Sequence, residues 1–173
     1  MRSFTREHSY AAPAADVLLL WRDPEFLAAV GAKFGGVGTA EIEQVGDRVR
    51  VTTRRELPMD KLPSFVRRFI QSGLLEQRDD WPADPTPPAD GGPIEGAWEV
   101  SGKMPATMSG RQSIEVGGDG CVVTVAGSVN VSAPLVAGKI EELISREITK
   151  LIGAQQQFVA DWLAGRAKQA DPA

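Results

Sequence analysis

The feature that most limits what this chain can fold into is one long amphipathic run near its C-terminus. From Ser132, through SAPLVAGKIEELI and on to about Gly165, apolar residues return every three or four positions: Val136, Ile140, Leu143 and Ile144, Ile148, Leu151 and Ile152, Phe158 and Val159, Trp162. That is the period of an α-helix with a single apolar stripe. Ser132 is placed to cap it, and Pro134 to sit in the first turn, where a missing N–H costs little. At about 1.5 Å per residue such a helix reaches ~45 Å. A one-sided helix of that length has to cover something equally long, and little else in the 173 residues reads as helical.

What it covers is a set of strands. In RSFTREHSY (residues 2–10), Phe4, Arg6, His8 and Tyr10 point one way and Thr5, Glu7 and Ser9 the other, giving a strand with a mixed inner face. Two short helices follow. Pro13 suits a first turn, Asp23-Pro24 ends one helix and starts the next, and Gly35-Gly36 stops the second. TAEIEQVGDRVRVTTRREL is a hairpin turning at Gly46-Asp47, with Val49, Val51, Thr53 and Arg55 on one face. A short helix is expected over 63–71, with Phe65, Val66, Phe69 and Ile70 on one side and Arg67 and Arg68 displaced toward the other. Leu75, Gln77, Asp79 and Trp81 then share a strand face; 82–93 is a proline-rich loop; and Ile94, Gly96, Trp98 and Val100 are again in phase. TMSGRQSIEV and CVVTVAGSVNV form a last hairpin about Gly117-Gly118-Asp119-Gly120.

Consecutive antiparallel strands curl, and a helix laid across their open face closes them. The expected class is therefore α+β: a curved antiparallel sheet of about six to seven strands wrapped around a long C-terminal helix, with two short helices after the first strand. One domain is expected over 1–166, with a disordered tail at 167–173. The Val136-Ala137-Gly138 segment is expected to bring the start of the helix close to the sheet.

Several function classes recede on composition and motif content. The charge balance, 19 basic against 23 acidic residues, is −4, which supplies no global field for nucleic acid. The N-terminal MRSFTREHSY lacks the apolar core of a secretory signal, and no apolar stretch approaches the ~20 residues of a membrane span, so a cytoplasmic location is expected. Asn130-Val-Ser132 then matches a glycosylation pattern by coincidence. Cys121 is the only cysteine and His8 the only histidine, too few for the usual zinc sites. Cys121, in the apolar run CVVTVAGSV, reads as a buried, inert thiol. The glycine-rich turn at 117–120 lacks a following Lys-Ser/Thr and is not a phosphate cradle. No metal or cofactor is expected.

The element order, with the opening FTREHSYAAPAADVLLLWRDPEFL, resembles the START-like (SRPBCC, polyketide cyclase-like) superfamily of helix-grip domains. More narrowly, LPSFVRRFI, QRDDW, MPATMSGRQSIE and above all APLVAGKIEELI are similar to a mainly actinobacterial family, domain of unknown function 2505, over roughly residues 3 to 165. The proline-rich 82–93 segment is longer than that pattern leads one to expect. The resemblance implies a deep, largely apolar cavity between sheet and helix, of the kind used by lipid, sterol, polyketide or hormone binders. It transfers no catalytic residue.

The inward faces nominate a ligand cavity: Phe4, Arg6, His8, Tyr10, Arg55, Phe65, Phe69, Trp81 and Trp98, with Ile140, Ile144 and Ile148 from the helix. An inward Arg or His needs a carboxylate, a water or a ligand. Arg6 and Arg55 therefore read either as ion-paired, with Asp79 a possible partner, or as ligand contacts. His8 reads either as a core histidine donating one hydrogen bond or as a general acid or base. Phe65 and Phe69 read either as core plugs or as gates at a cavity mouth, with Lys61, Arg67 and Arg68 reaching anionic head groups in a transient membrane-surface contact through residues 65–70. The leading functional expectation is binding or transport of a small hydrophobic or amphipathic, lipid-like molecule. A cyclase- or aromatase-like enzyme and a protein-interaction module are the alternatives, and fold analogy does not choose among them.

Overall fold

A computed structural model describes residues 1–170. It holds a seven-stranded antiparallel sheet with the long helix laid across it, the expected helix-grip arrangement. Strand β1 (Arg2–Tyr10) leads into α1 (Ala14–Leu20) and α2 (Pro24–Phe34). Strands β2 (Glu41–Val45) and β3 (Arg48–Glu56) form the first hairpin; a short helical segment α3 (Ser64–Arg67) precedes β4 (Leu74–Pro82). Then come β5 (Ile94–Gly102), β6 (Ala106–Gly117), β7 (Gly120–Val131) and α4 (Ala137–Ala170). The strand order is β1-β7-β6-β5-β4-β3-β2, so the chain's first strand closes onto its last.

The predicted punctuation between α1 and α2 is realised in detail. Asp23 accepts hydrogen bonds from the Glu25 and Phe26 amides as the N-cap of α2, with Pro24 in its first turn. Gly35 ends α2 with a left-handed φ of 77°.

Four expectations are corrected. The last helix begins at Ala137 rather than beside Pro134, because Leu135 takes a φ of +67° and turns the chain, leaving Ser132 no capping role. At the other end it runs on through 167–170, and the remainder of the expected tail, 171–173, lies outside the described residues. Gly138 faces open space; close approach occurs instead at Gly153, where an added Cβ would stand 3.3 Å from the Arg6 guanidinium. The helix expected over 63–71 is only four residues of α-helix, after which the Phe69 and Ile70 amides bond three residues back and Gln71 turns to the Lys103 carbonyl.

Glycines set the shape of the inner sheet surface. Trp98 lies across β6 and β7 in a trough that only glycine permits: a Cβ on Gly110 would meet its indole at 2.8 Å, and one on Gly127 would overlap the ring. The indole N–H donates to the Ala126 carbonyl at 3.3 Å. Gly96 opens the same kind of space beneath Trp81. Aromatic packing then clamps α4 onto α2, with Phe26 5.8 Å from Phe158 and 5.4 Å from Trp162.

Candidate functional site: a cavity between sheet and helix

Two hydrophobic clusters fill the space under α4. One gathers Tyr10, Val17, Leu18, Phe26, Trp81 and Val159; the other gathers Val66, Trp98, Met108, Val129 and Ile140. Where they meet, the packing is incomplete, and a cavity of about 230 Å³ remains. Its apolar wall comes from Val51, Trp81, Trp98, Val125, Ile148 and Ile152, and α2 closes it with Leu27 and Val30. The strand register puts the sheet's contribution in place, pairing Val51 with Asp79 and Asp79 with Trp98 across β3, β4 and β5.

A polar patch interrupts that wall. Asp79 accepts from the Gln77 amide at 2.8 Å and from the Gln112 amide at 3.0 Å, one on each carboxylate oxygen. Its pKa is nevertheless pushed up to about 6, because removal from water outweighs those two hydrogen bonds and the nearby Arg55 charge, while Asp80 adds to the rise. Asp79 lines the cavity, so the surface it keeps faces the cavity. Arg55, also on the wall and half-buried, is held below the usual guanidinium range by burial, and Asp79 acts on it only as a through-space charge. Among the described residues its guanidinium forms no ion pair and no hydrogen bond. From α4, Gln156 lends its backbone carbonyl to the Tyr10 hydroxyl at 3.3 Å, while its own side-chain Nε2 is buried without a partner. Burial, with the Cys121 thiol nearby, pushes the Tyr10 phenol well above its ordinary value.

Of the residues nominated from the sequence, Tyr10, Arg55, Trp81, Trp98 and Ile148 converge on this cavity. Phe69, Ile140 and Ile144 line a separate space of about 20 Å³ below α3. Phe4 and Phe65 pack into the second cluster, Phe4 with its ring 5.9 Å from Trp98. Arg6 is exposed and lies along α4 at Gly153; His8 is half-buried with its ring 4.6 Å from Tyr10, off the cavity wall. Phe65, Phe69 and Ile70 all turn inward, while Arg67 and Arg68 are exposed. Gln77 and Gln112 carried a legible signal, the strict alternation of their strands. Gln155 and Gln156 carried none, since a glutamine run on a helix reads as solvated until the helix is placed.

An antiparallel sheet gripping a C-terminal helix, with an apolar cavity between them, is the helix-grip fold. The Zhui aromatase/cyclase from Streptomyces sp. R1128 is 14% identical with a TM-score of 0.62, covering 98% of this chain and 97% of that one. TTHA0849 from Thermus thermophilus is 15% identical with a TM-score of 0.59, covering 91% and 97%. Norcoclaurine synthase from Thalictrum flavum is 13% identical with a TM-score of 0.52, covering 92% and 94%. Likeness at this level shows the shared fold. Residues 5–163 match the family described as Protein of unknown function (DUF2505), and the chain belongs to that family. No curated protein matches the sequence. No helix among the described residues is long and apolar enough to cross a membrane.

Proposed function

We propose that the protein binds a small hydrophobic or amphipathic molecule between its sheet and α4, and holds or transfers it rather than converting it. The observation that carries this reading is the cavity itself, a mostly apolar space of about 230 Å³ with a few convergent polar groups, the usual make-up of a small-molecule site. Affinity would come from apolar burial, about 25 cal/mol per Å² less ordering costs, and orientation from the polar patch around Asp79 and Arg55. A solidly packed interaction module is less well supported, since its core would be filled. Phe65, Phe69 and Ile70 pack inward against the second cluster, which weighs against a membrane-surface contact through α3.

The test is native mass spectrometry of gently purified protein, before and after incubation with a lipid extract, against its denatured mass. A discrete adduct lost on denaturation, and lost again in Ile152→Trp, where an indole occupies the cavity, is the expected result. No adduct under either condition refutes the carrier reading.

One observation favours a second reading. Asp79, a carboxyl of pKa about 6 on the wall of the cavity, is suited to general acid–base work on a bound carbonyl compound. That reading requires a turnover whose pH profile vanishes in Asp79→Asn; His8, away from the cavity wall, is not its acid or base.

A further inference from the structure

We infer that the ligand of this cavity is a compact, ring-bearing organic acid whose carboxylate docks on Arg55. The inference rests on the small-molecule reading above and specifies the charge and size of what is bound.

The polar wall has donors without acceptors. The Arg55 guanidinium faces the cavity, half-buried, with neither an ion pair nor a hydrogen bond among the described residues. Its charge is fixed, so unlike a lysine it cannot relieve its burial by releasing a proton. Gln156 adds a buried side-chain N–H group that also lacks a partner. The one carboxylate on the wall pairs with neither: Asp79 accepts from the Gln77 and Gln112 amides and acts on Arg55 only through space. Of the two donor groups only the Gln156 amide is wholly buried, while the Arg55 guanidinium keeps surface that an acceptor arriving with the ligand can take over from water. A planar carboxylate matches a guanidinium edge with two parallel hydrogen bonds.

Size narrows the class further. An apolar cavity of ~150 Å³ accepts a benzene ring. One of about 230 Å³, walled by the indoles of Trp81 and Trp98, has room for a substituted ring or a fused pair of rings. A long acyl chain would have to project from it.

Asp79 opposes an incoming anion, and its proton settles that conflict. The charged group beside it on the wall is Arg55 from β3, and Asp80 acts through space from the other face of β4, where it pairs with Arg50; β1 presents the neutral Tyr10 phenol, β5 and β6 present Trp98 and Gln112, and α2 and α4 present uncharged Leu27, Val30, Gln155 and Gln156. Binding of an anion therefore draws a proton onto Asp79, and affinity rises by about fivefold from pH 7 to pH 6.

The decisive comparison uses two probes of the same shape, naphthalene-2-carboxylate and its neutral carboxamide, with quenching of the cavity tryptophans as readout and a thermal melt to verify folding of each variant. The carboxylate is expected to bind at least tenfold tighter than the amide to the wild-type chain. Arg55→Gln should erase that preference, bringing the carboxylate's affinity to that of the amide, and Asp79→Asn should tighten carboxylate binding at pH 7 and remove its pH dependence. Equal binding of the two probes to the wild-type chain, or weaker carboxylate binding in Asp79→Asn, overturns the assignment and leaves the cavity reading intact. If neither probe binds, this inference falls, and the native mass-spectrometry adduct decides whether the cavity reading falls with it.

Discussion

Replacing Asp79 by asparagine should change the pH dependence of folding in a way that no surface carboxylate can imitate. The pKa of this carboxyl rises from an ordinary 3.8 to about 6 in the folded protein, chiefly through burial. Below pH 3.8 it is protonated whether the chain is folded or not, and contributes no pH dependence. Between 3.8 and about 6 the unfolded chain releases the proton while the folded chain holds it, so stability falls as pH rises. That interval, at about 1.4 kcal/mol per pH unit, amounts to about 3 kcal/mol, fully lost above pH 6. The Asp79→Asn side chain keeps the shape and one acceptor for Gln77 or Gln112, and carries none of this dependence. Chemical denaturation of both proteins from pH 4 to pH 7.5, taken as a difference, cancels every other titrating group. Because pH 4 already lies just above the unfolded value, the wild-type chain should lose about 2.5 kcal/mol relative to the variant over that range, a relative shift in melting temperature of about 5–10 °C for a chain of this size. Parallel stability curves would refute the reasoning, showing that water reaches the carboxyl well enough to keep it ionised at no cost.

Two further outcomes follow from the packing. Gly127→Ala forces a methyl group into the Trp98 indole and against the Ser109 carbonyl, and should destabilise by about 1–3 kcal/mol in urea titration with an altered Trp emission; an unperturbed variant would mean the Trp98 trough is loose. Asp23→Ala removes the cap of α2 and a 2.6 Å contact with Arg166, and should cost about 1–2 kcal/mol at pH 7. Because those partners hold the Asp23 carboxyl below its usual range, the deficit should fade as pH falls through that lowered value, and a deficit that persists in strong acid would point to lost packing instead.

Local chemistry made much of this fold legible in the sequence. Period-two alternation in RSFTREHSY and LLEQRDDW, the Asp23-Pro24 punctuation and the stripe from Val136 to Trp162 are properties of short segments, and they fix strands, helix starts and buried faces before any long-range contact forms. The same alternation placed Arg55 and Asp79 on the inner face. Phase, however, says only which side of a sheet a residue occupies. It does not say what stands opposite. His8 and Asp79 are both inward, yet His8 packs beside Tyr10 off the cavity wall, while Asp79 sits in mid-sheet where Gln112 reaches it from β6. That difference depends on strand order, on glycines that let two indoles lie flat, and on where the two helices leave a gap. Leu135 is a further case, since its left-handed turn delays α4 and no local preference of leucine announces it. Elements and their buried faces are thus written into short segments of the chain. Which inward polar groups meet is settled only when those segments pack, because convergence is a property of register and contact between stretches far apart in the chain.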